Sequence, residues 1–117
     1  MNEFQELQTA IYKNAIIHGF WDSIVDIHIK IEKLALIVTE VAEAIESVRK
    51  GEDNIKSSDK FVLSDAELDL TYMEEELADI VIRTMDFAEH QKIDLWKAIN
   101  AKHNYNITRP FKHNKKV

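Results

Sequence analysis

The sequence predicts an all-α protein, a four-helix antiparallel bundle completed by oligomerisation, and three observations carry that expectation. Chain punctuators are scarce: two Gly and one Pro among 117 residues, where average usage would place about eight and six. A turn-rich β-sandwich or barrel would need more of both. Apolar residues recur at helical spacing in four segments. Those segments carry capping and stop signals, with short connections and one longer loop, as in antiparallel bundles.

The first helix is expected over residues 3–17, where Phe4, Leu7, Ile11 and Ala15 share a face. His18-Gly19-Phe20-Trp21-Asp22 breaks it with a glycine and two aromatics. A second helical pattern runs from about 24 to 50 and ends in Arg49-Lys50 before Gly51, a basic last turn followed by glycine. Residues 51–63 are polar and aperiodic and read as a loop. Ser64-Asp65-Ala66-Glu67 spells a capping box, which predicts a third helix from there to about His90. Such a helix would be about 38 Å long, more than a compact monomer of this size needs. A partner subunit is therefore expected to complete the core, in a homodimer or homotetramer. Asp94 is placed to cap a fourth helix over 95–105, which Pro110 and the tail terminate. The whole of 1–117 reads as one domain with a basic C-terminal tail from about residue 106.

Composition excludes several chemistries. Gly19 and Gly51 are the only glycines, so neither a GxxxxGK[ST] nor a GxGxxG phosphate cradle can be written in this chain. The absence of Cys removes disulfides, thiolate zinc sites and thiol nucleophiles. Residues 1–94 hold all 21 acids and nine of the 15 Lys and Arg, a net −12, whereas residues 95–117 carry six Lys and Arg and no acid. The acidic body argues against nonspecific nucleic-acid binding, and the basic tail suits a small anion. With no signal-peptide pattern and no apolar run of about 18 residues, a soluble cytoplasmic protein without membrane contact is expected.

Two helices carry paired carboxylates. Within the nearly all-apolar stretch Leu34–Val48 the acids are Glu40, Glu43 and Glu46, with no Lys or Arg among them. The third helix repeats the arrangement with Glu76 and Asp79, followed by Arg83. Residues three or four apart share a helix face. An acidic stripe is by default a wetted face, but exposed stripes usually mix signs, because like charges at this spacing cost a few tenths of a kcal/mol. Helices apolar nearly all round would instead turn both strips toward each other. Carboxylates about 4 Å apart then repel by roughly 4 kcal/mol per pair at intermediate dielectric, unless a cation lies between them. All-oxygen ligation suits Mg²⁺, with Mn²⁺ as the alternative. No His has a Glu three residues before it, which excludes the Glu-x-x-His pattern of di-iron bundles. Mg²⁺ commonly works together with substrate phosphates.

Glu40-x-x-Glu43 followed by Glu76-x-x-Asp79 resembles the MazG-like nucleoside triphosphate pyrophosphohydrolases of the all-α superfamily. The turn Gly19-Phe20-Trp21-Asp22 looks like that family's entry turn. Lys102-His103-Asn104-Tyr105-Asn106-Ile107-Thr108-Arg109-Pro110-Phe111-Lys112-His113 looks like the tail of its small, often phage-encoded members. The resemblance covers about residues 18–113. Two features depart from the family pattern: the long interval between Glu43 and Glu76, which makes the 51–63 loop an insertion or substrate lid, and Asn114 where such tails commonly have Gly.

The resemblance implies hydrolysis of a nucleoside or deoxynucleoside triphosphate between the α- and β-phosphates, giving a monophosphate and pyrophosphate. Glu40, Glu43, Glu76 and Asp79 would hold Mg²⁺, one of them orienting or deprotonating water, with Glu46 a further outer candidate. Arg83 either reaches the same site or neutralises the stripe. Lys102, Asn106, Arg109 and Lys112 are candidate phosphate or polar contacts, and Trp21 and His28 candidate base or sugar contacts. Phe20 is assigned to the core, and Tyr72 and Tyr105 to packing. The alternative from another class is a non-catalytic helical interaction module whose acidic stripes are solvated.

Overall fold

In the computed structural model, residues 1–56 and 68–110 are described. They form four helices: α1 (Glu3–Ile17), α2 (Ile27–Arg49), α3 (Tyr72–His90) and α4 (Leu95–Ile107). The expected all-α class is what the chain adopts, and α1 has the bounds its periodicity predicts. Asn2 and Gln5 form a capping box at the start of α1, Asp26 caps α2, and Asp94 caps α4 by accepting from the Lys97 N–H. The two glycines end the first two helices. Gly19 at φ +82° and Gly51 at φ +67° take the left-handed conformation of Schellman caps, with Phe20 N–H donating to Ala15 O and Glu52 N–H to Ser47 O.

The third helix differs from expectation. It starts at Tyr72, and Asp69 just before it has φ +53°, which a right-handed helix cannot contain. The capping box in use is Thr71 with Glu74. The segment after α2 folds back onto this terminus: Tyr72 N–H donates to Ile55 O and Met73 N–H to Asp53 O, so the chain enters α3 through a hydrogen-bonded, non-helical turn, with an isolated bridge between Lys56 and Thr71. The Ser64–Glu67 box and residues 57–63 of the loop lie outside the described residues.

α3 is the central element, packing against α2 on one side and α1 on another, while α4 rests mainly on α1. Polar side chains fasten the α1–α3 seam. Buried Gln8 donates to Glu89 Oε1 and to Ile93 O, each at 3.0 Å, and Gln5 donates to Asp94 at 3.1 Å. Only Ala44, Met85 and Ala88 are buried apolar residues among those described. Large apolar side chains stand exposed instead, most regularly on α2: Ile27, Ile31, Leu34, Val38, Val41, Ile45 and Val48. They alternate four and three residues apart, the spacing of a coiled-coil seam. The radius of gyration, 16.8 Å, exceeds the roughly 13 Å of a compact chain of this length. No helix among the described residues is long and apolar enough to cross a membrane.

Candidate metal and substrate site

The close packing of α2 on α3 brings the two carboxylate pairs together. Glu40, Glu43 and Glu76 each present an oxygen within 4.8 Å of the others. Glu40, at 6% exposure, is one of the two buried polar residues among those described. A helix that packs on its neighbour cannot wet this face, so the stripe reading fails for Glu40. It remains open for Glu43 and Asp79, which are both exposed. Asp79 lies on the same side of α3 but outside that triad. It lines an adjoining cavity together with Glu40 and Arg83.

Arg83 pairs with the acidic stripe and also lines the cavity: its Nε donates to Glu40 Oε1 at 2.7 Å. Burial would push Glu40 up, but the Arg83 hydrogen bond and charge, with contributions from Glu76 and Glu43, outweigh it and hold the carboxyl below its ordinary value. Glu76 has no such counter-ion among the described residues. Burial, then the neighbouring carboxyls of Glu40 and Glu43, push it up to about 8. Its Oε2 is buried without a hydrogen-bond partner. Burial also raises Asp79, reinforced by the charge of Glu40 and opposed by Arg83. One carboxylate held ionised, a second reluctant to ionise and an orphaned buried oxygen are together what an all-oxygen cation site presents before a cation neutralises it. The donor set therefore fits Mg²⁺ or Mn²⁺.

The cavity has a volume of about 410 Å³ and runs between α1 and α3. Ala10, Ile11, Asn14 and Ala15 line it from α1, Asp79, Ile82, Arg83 and Asp86 from α3, and Phe20 and Glu40 complete the wall. Positions 79, 82, 83 and 86 are i, i+3, i+4 and i+7, one continuous helix face. Phe20 corrects its assignment to the core: it is half exposed and forms part of this wall. Asp86 and Asn14 were not singled out from sequence. An acid seven residues beyond Asp79 on the same face was the available signal for Asp86. Nothing local marked Asn14, which depends on how α1 packs.

Other expected contacts are elsewhere. Trp21 is engaged within the chain: its Nε1 donates to Asp86 Oδ1 at 2.9 Å, and its ring stacks on His90 at 4.0 Å with planes 4° apart. Tyr12 meets both rings edge-on, and Lys33 Nζ lies 4.8 Å from the Trp21 ring while donating to Phe20 O. Burial lowers His90, Lys30 and Lys33 lower it further, and Asp86 opposes them. Trp21 thus locks the α1–α2 connection onto α3. His28 is exposed in the first turn of α2, about 18 Å along the axis from Glu40, and the chain does not bring it to the carboxylates. Glu46 is exposed six residues beyond Glu40. Lys102 and Arg109 flank the exposed ring of Tyr105 at 4.7 and 5.6 Å, which corrects the assignment of Tyr105 to packing. Asn106 keeps a buried, unpartnered Oδ1. None of these three residues lines the cavity, and Lys112 lies outside the described residues.

Neither a protein-family model, nor a curated protein, nor a solved structure matches the chain.

Proposed function

We propose that this protein is a Mg²⁺-dependent nucleotide pyrophosphohydrolase that cleaves a nucleoside or deoxynucleoside triphosphate between its α- and β-phosphates. The observation that carries the reading is the convergence of Glu40, Glu43 and Glu76 within 4.8 Å at the edge of a substrate-sized cavity shared by Glu40, Asp79 and Arg83. Glu40, Glu43, Glu76 and Asp79 are the ligands of the metal, which when bound would screen the phosphate oxygens and acidify a water. Water adds to the α-phosphorus, the α–β anhydride bond breaks, and pyrophosphate leaves with its electron pair. One carboxylate of the set takes the proton. Arg83 fixes Glu40 as an anion. Lys102, Arg109 and Lys112 are assigned to the phosphates, with Asn106 a polar contact, each supplied by a neighbouring copy in the oligomer.

The oligomer, a homodimer or homotetramer, is part of the same proposal. The uncovered apolar seam of α2 supports it, and a second copy laid along that seam would complete the helical bundle. The same seam is the one feature that favours a non-catalytic interaction module. Such a module would respond little to Mg²⁺ and release no pyrophosphate. A cytoplasmic setting belongs to this reading as well.

The test is a panel of canonical and modified nucleotides with Mg²⁺, assayed for pyrophosphate. Release by the wild type and its loss in Glu43→Gln support the proposal. No release from any nucleotide, or equal release by Glu43→Gln, refutes it.

A further inference from the structure

We infer that the cavity between α1 and α3 receives the nucleobase, and that Asp86 and Asn14 select a base bearing an exocyclic amino group over its oxo counterpart. This rests on the nucleotide reading of the carboxylates.

The argument starts from position. Asp79 and Asp86 lie on one face of α3, seven residues or about 10.5 Å apart along the axis, and both line the same cavity. That is the scale separating the phosphate end of a nucleoside from the far edge of its base. A phosphate held at the Glu40–Asp79 end therefore sends the base toward Asp86. A volume of about 410 Å³ falls within the range of small-molecule sites. Phe20, half exposed in the wall with Lys33 Nζ 5.8 Å from its ring centroid, supplies an aromatic side chain of the kind on which bases stack.

Asp86 then determines which edge is accepted. Trp21 Nε1–H donates to its Oδ1, which fixes the carboxylate's rotation and leaves Oδ2 as an acceptor. Burial raises this carboxyl, while the Trp21 hydrogen bond, then Lys33, His90 and Arg83, oppose the rise. An ionised carboxylate accepts hydrogen bonds and donates none. It welcomes the N4 amino group of cytosine or the N6 amino group of adenine and repels the O4 of uracil or the O6 of hypoxanthine. Asn14 faces the same space from α1, and its amide can donate to the adjacent ring nitrogen, N3 of cytosine or N1 of adenine, which in the oxo bases carries hydrogen.

The test compares matched pairs differing only in that group, CTP with UTP and ATP with ITP, by kcat/KM for pyrophosphate release. The wild type should prefer the amino member of at least one pair by about tenfold or more, in line with discrimination by a single well-placed polar contact. Asp86→Asn keeps an oxygen for Trp21 and turns an NH₂ toward the cavity, so it should erase or invert the preference. Asn14→Ala should reduce it, mainly through KM. A wild-type ratio near one in both pairs, or a preference unmoved by a folded Asp86→Asn, overturns the inference and leaves the hydrolase reading standing. No release from any nucleotide overturns both. The wild-type ratios decide the matter even if Asp86→Asn fails to fold.

Discussion

Replacing Glu76 by Gln should flatten the pH dependence of stability of the metal-free protein. Glu76 is pushed up to about 8 from an ordinary 4.5, so the fold favours its neutral form. That contribution is fully present below about pH 4.5, declines as pH rises, and is exhausted near pH 8, because the unfolded chain releases the proton far earlier. The source is visible in the geometry: carboxylates no more than 4.8 Å apart repel by about 3.5 kcal/mol at an effective dielectric of 20. A fully buried carboxyl displaced this far would be worth about 5 kcal/mol. Glu76 is only partly buried and Glu43 is exposed, and solvent screening reduces the figure to about 1–2 kcal/mol. At roughly 4 °C per kcal/mol for a chain of this size, the wild type should lose about 4–8 °C more than Glu76→Gln between pH 5 and pH 8.5. Thermal melts in EDTA across that range measure the difference. Mg²⁺ at a hundred times its Kd should restore about 2.7 kcal/mol to the wild type at pH 8.5 and less to the variant. Parallel pH profiles in EDTA, or a Mg²⁺ response equal in both proteins, would refute the reasoning.

Arg83→Ala leaves the buried Glu40 carboxylate without its donor and should cost about 1–3 kcal/mol in urea unfolding without metal, with part of the loss recovered by Mg²⁺. Lys92 closes α3 at φ +58°, its N–H bonded to Glu89 O and that of Ile93 to Ala88 O. This is a Schellman cap built on a residue that disfavours the left-handed conformation, so Lys92→Gly should raise stability by about 0.5–1 kcal/mol, seen as a higher urea midpoint. Val38→Lys with Val41→Lys places two charges in the uncovered seam of α2. It should convert a sedimenting dimer or tetramer into monomer, and a wild type that sediments as a monomer at all concentrations would remove the seam's role.

Much of this protein is legible in its sequence because its signals are local. Helical periodicity, the Asp94 cap and the two stop glycines depend on neighbours within one turn, and they locate α1, the end of α2 and all of α4 to within about two residues. The error at α3 has the same origin. Ser64-x-x-Glu67 and Thr71-x-x-Glu74 spell the same capping box, and the start of α3 at Tyr72 goes with the pairing of residues 53–55 onto that terminus. That contact spans about 18 residues, and no window of sequence reports it.

The carboxylate site divides along the same line. Like charges three residues apart on apolar helices single out Glu40, Glu43, Glu76 and Asp79 from sequence alone, and carboxylates offer oxygen donors only. Tertiary packing decided which of them come together: Glu40, Glu43 and Glu76 converge, and Asp79 lies beside them. It buried Glu40, paired it with Arg83 across 43 residues of chain, left Glu76 without a counter-ion among the described residues, and turned Phe20, Asn14 and Asp86 toward one cavity while locking Trp21 onto His90. Helix faces follow from a 3.6-residue period, but which faces meet, and at what distance, depends on burial summed over the whole chain. That sum also left the apolar seam of α2 facing solvent.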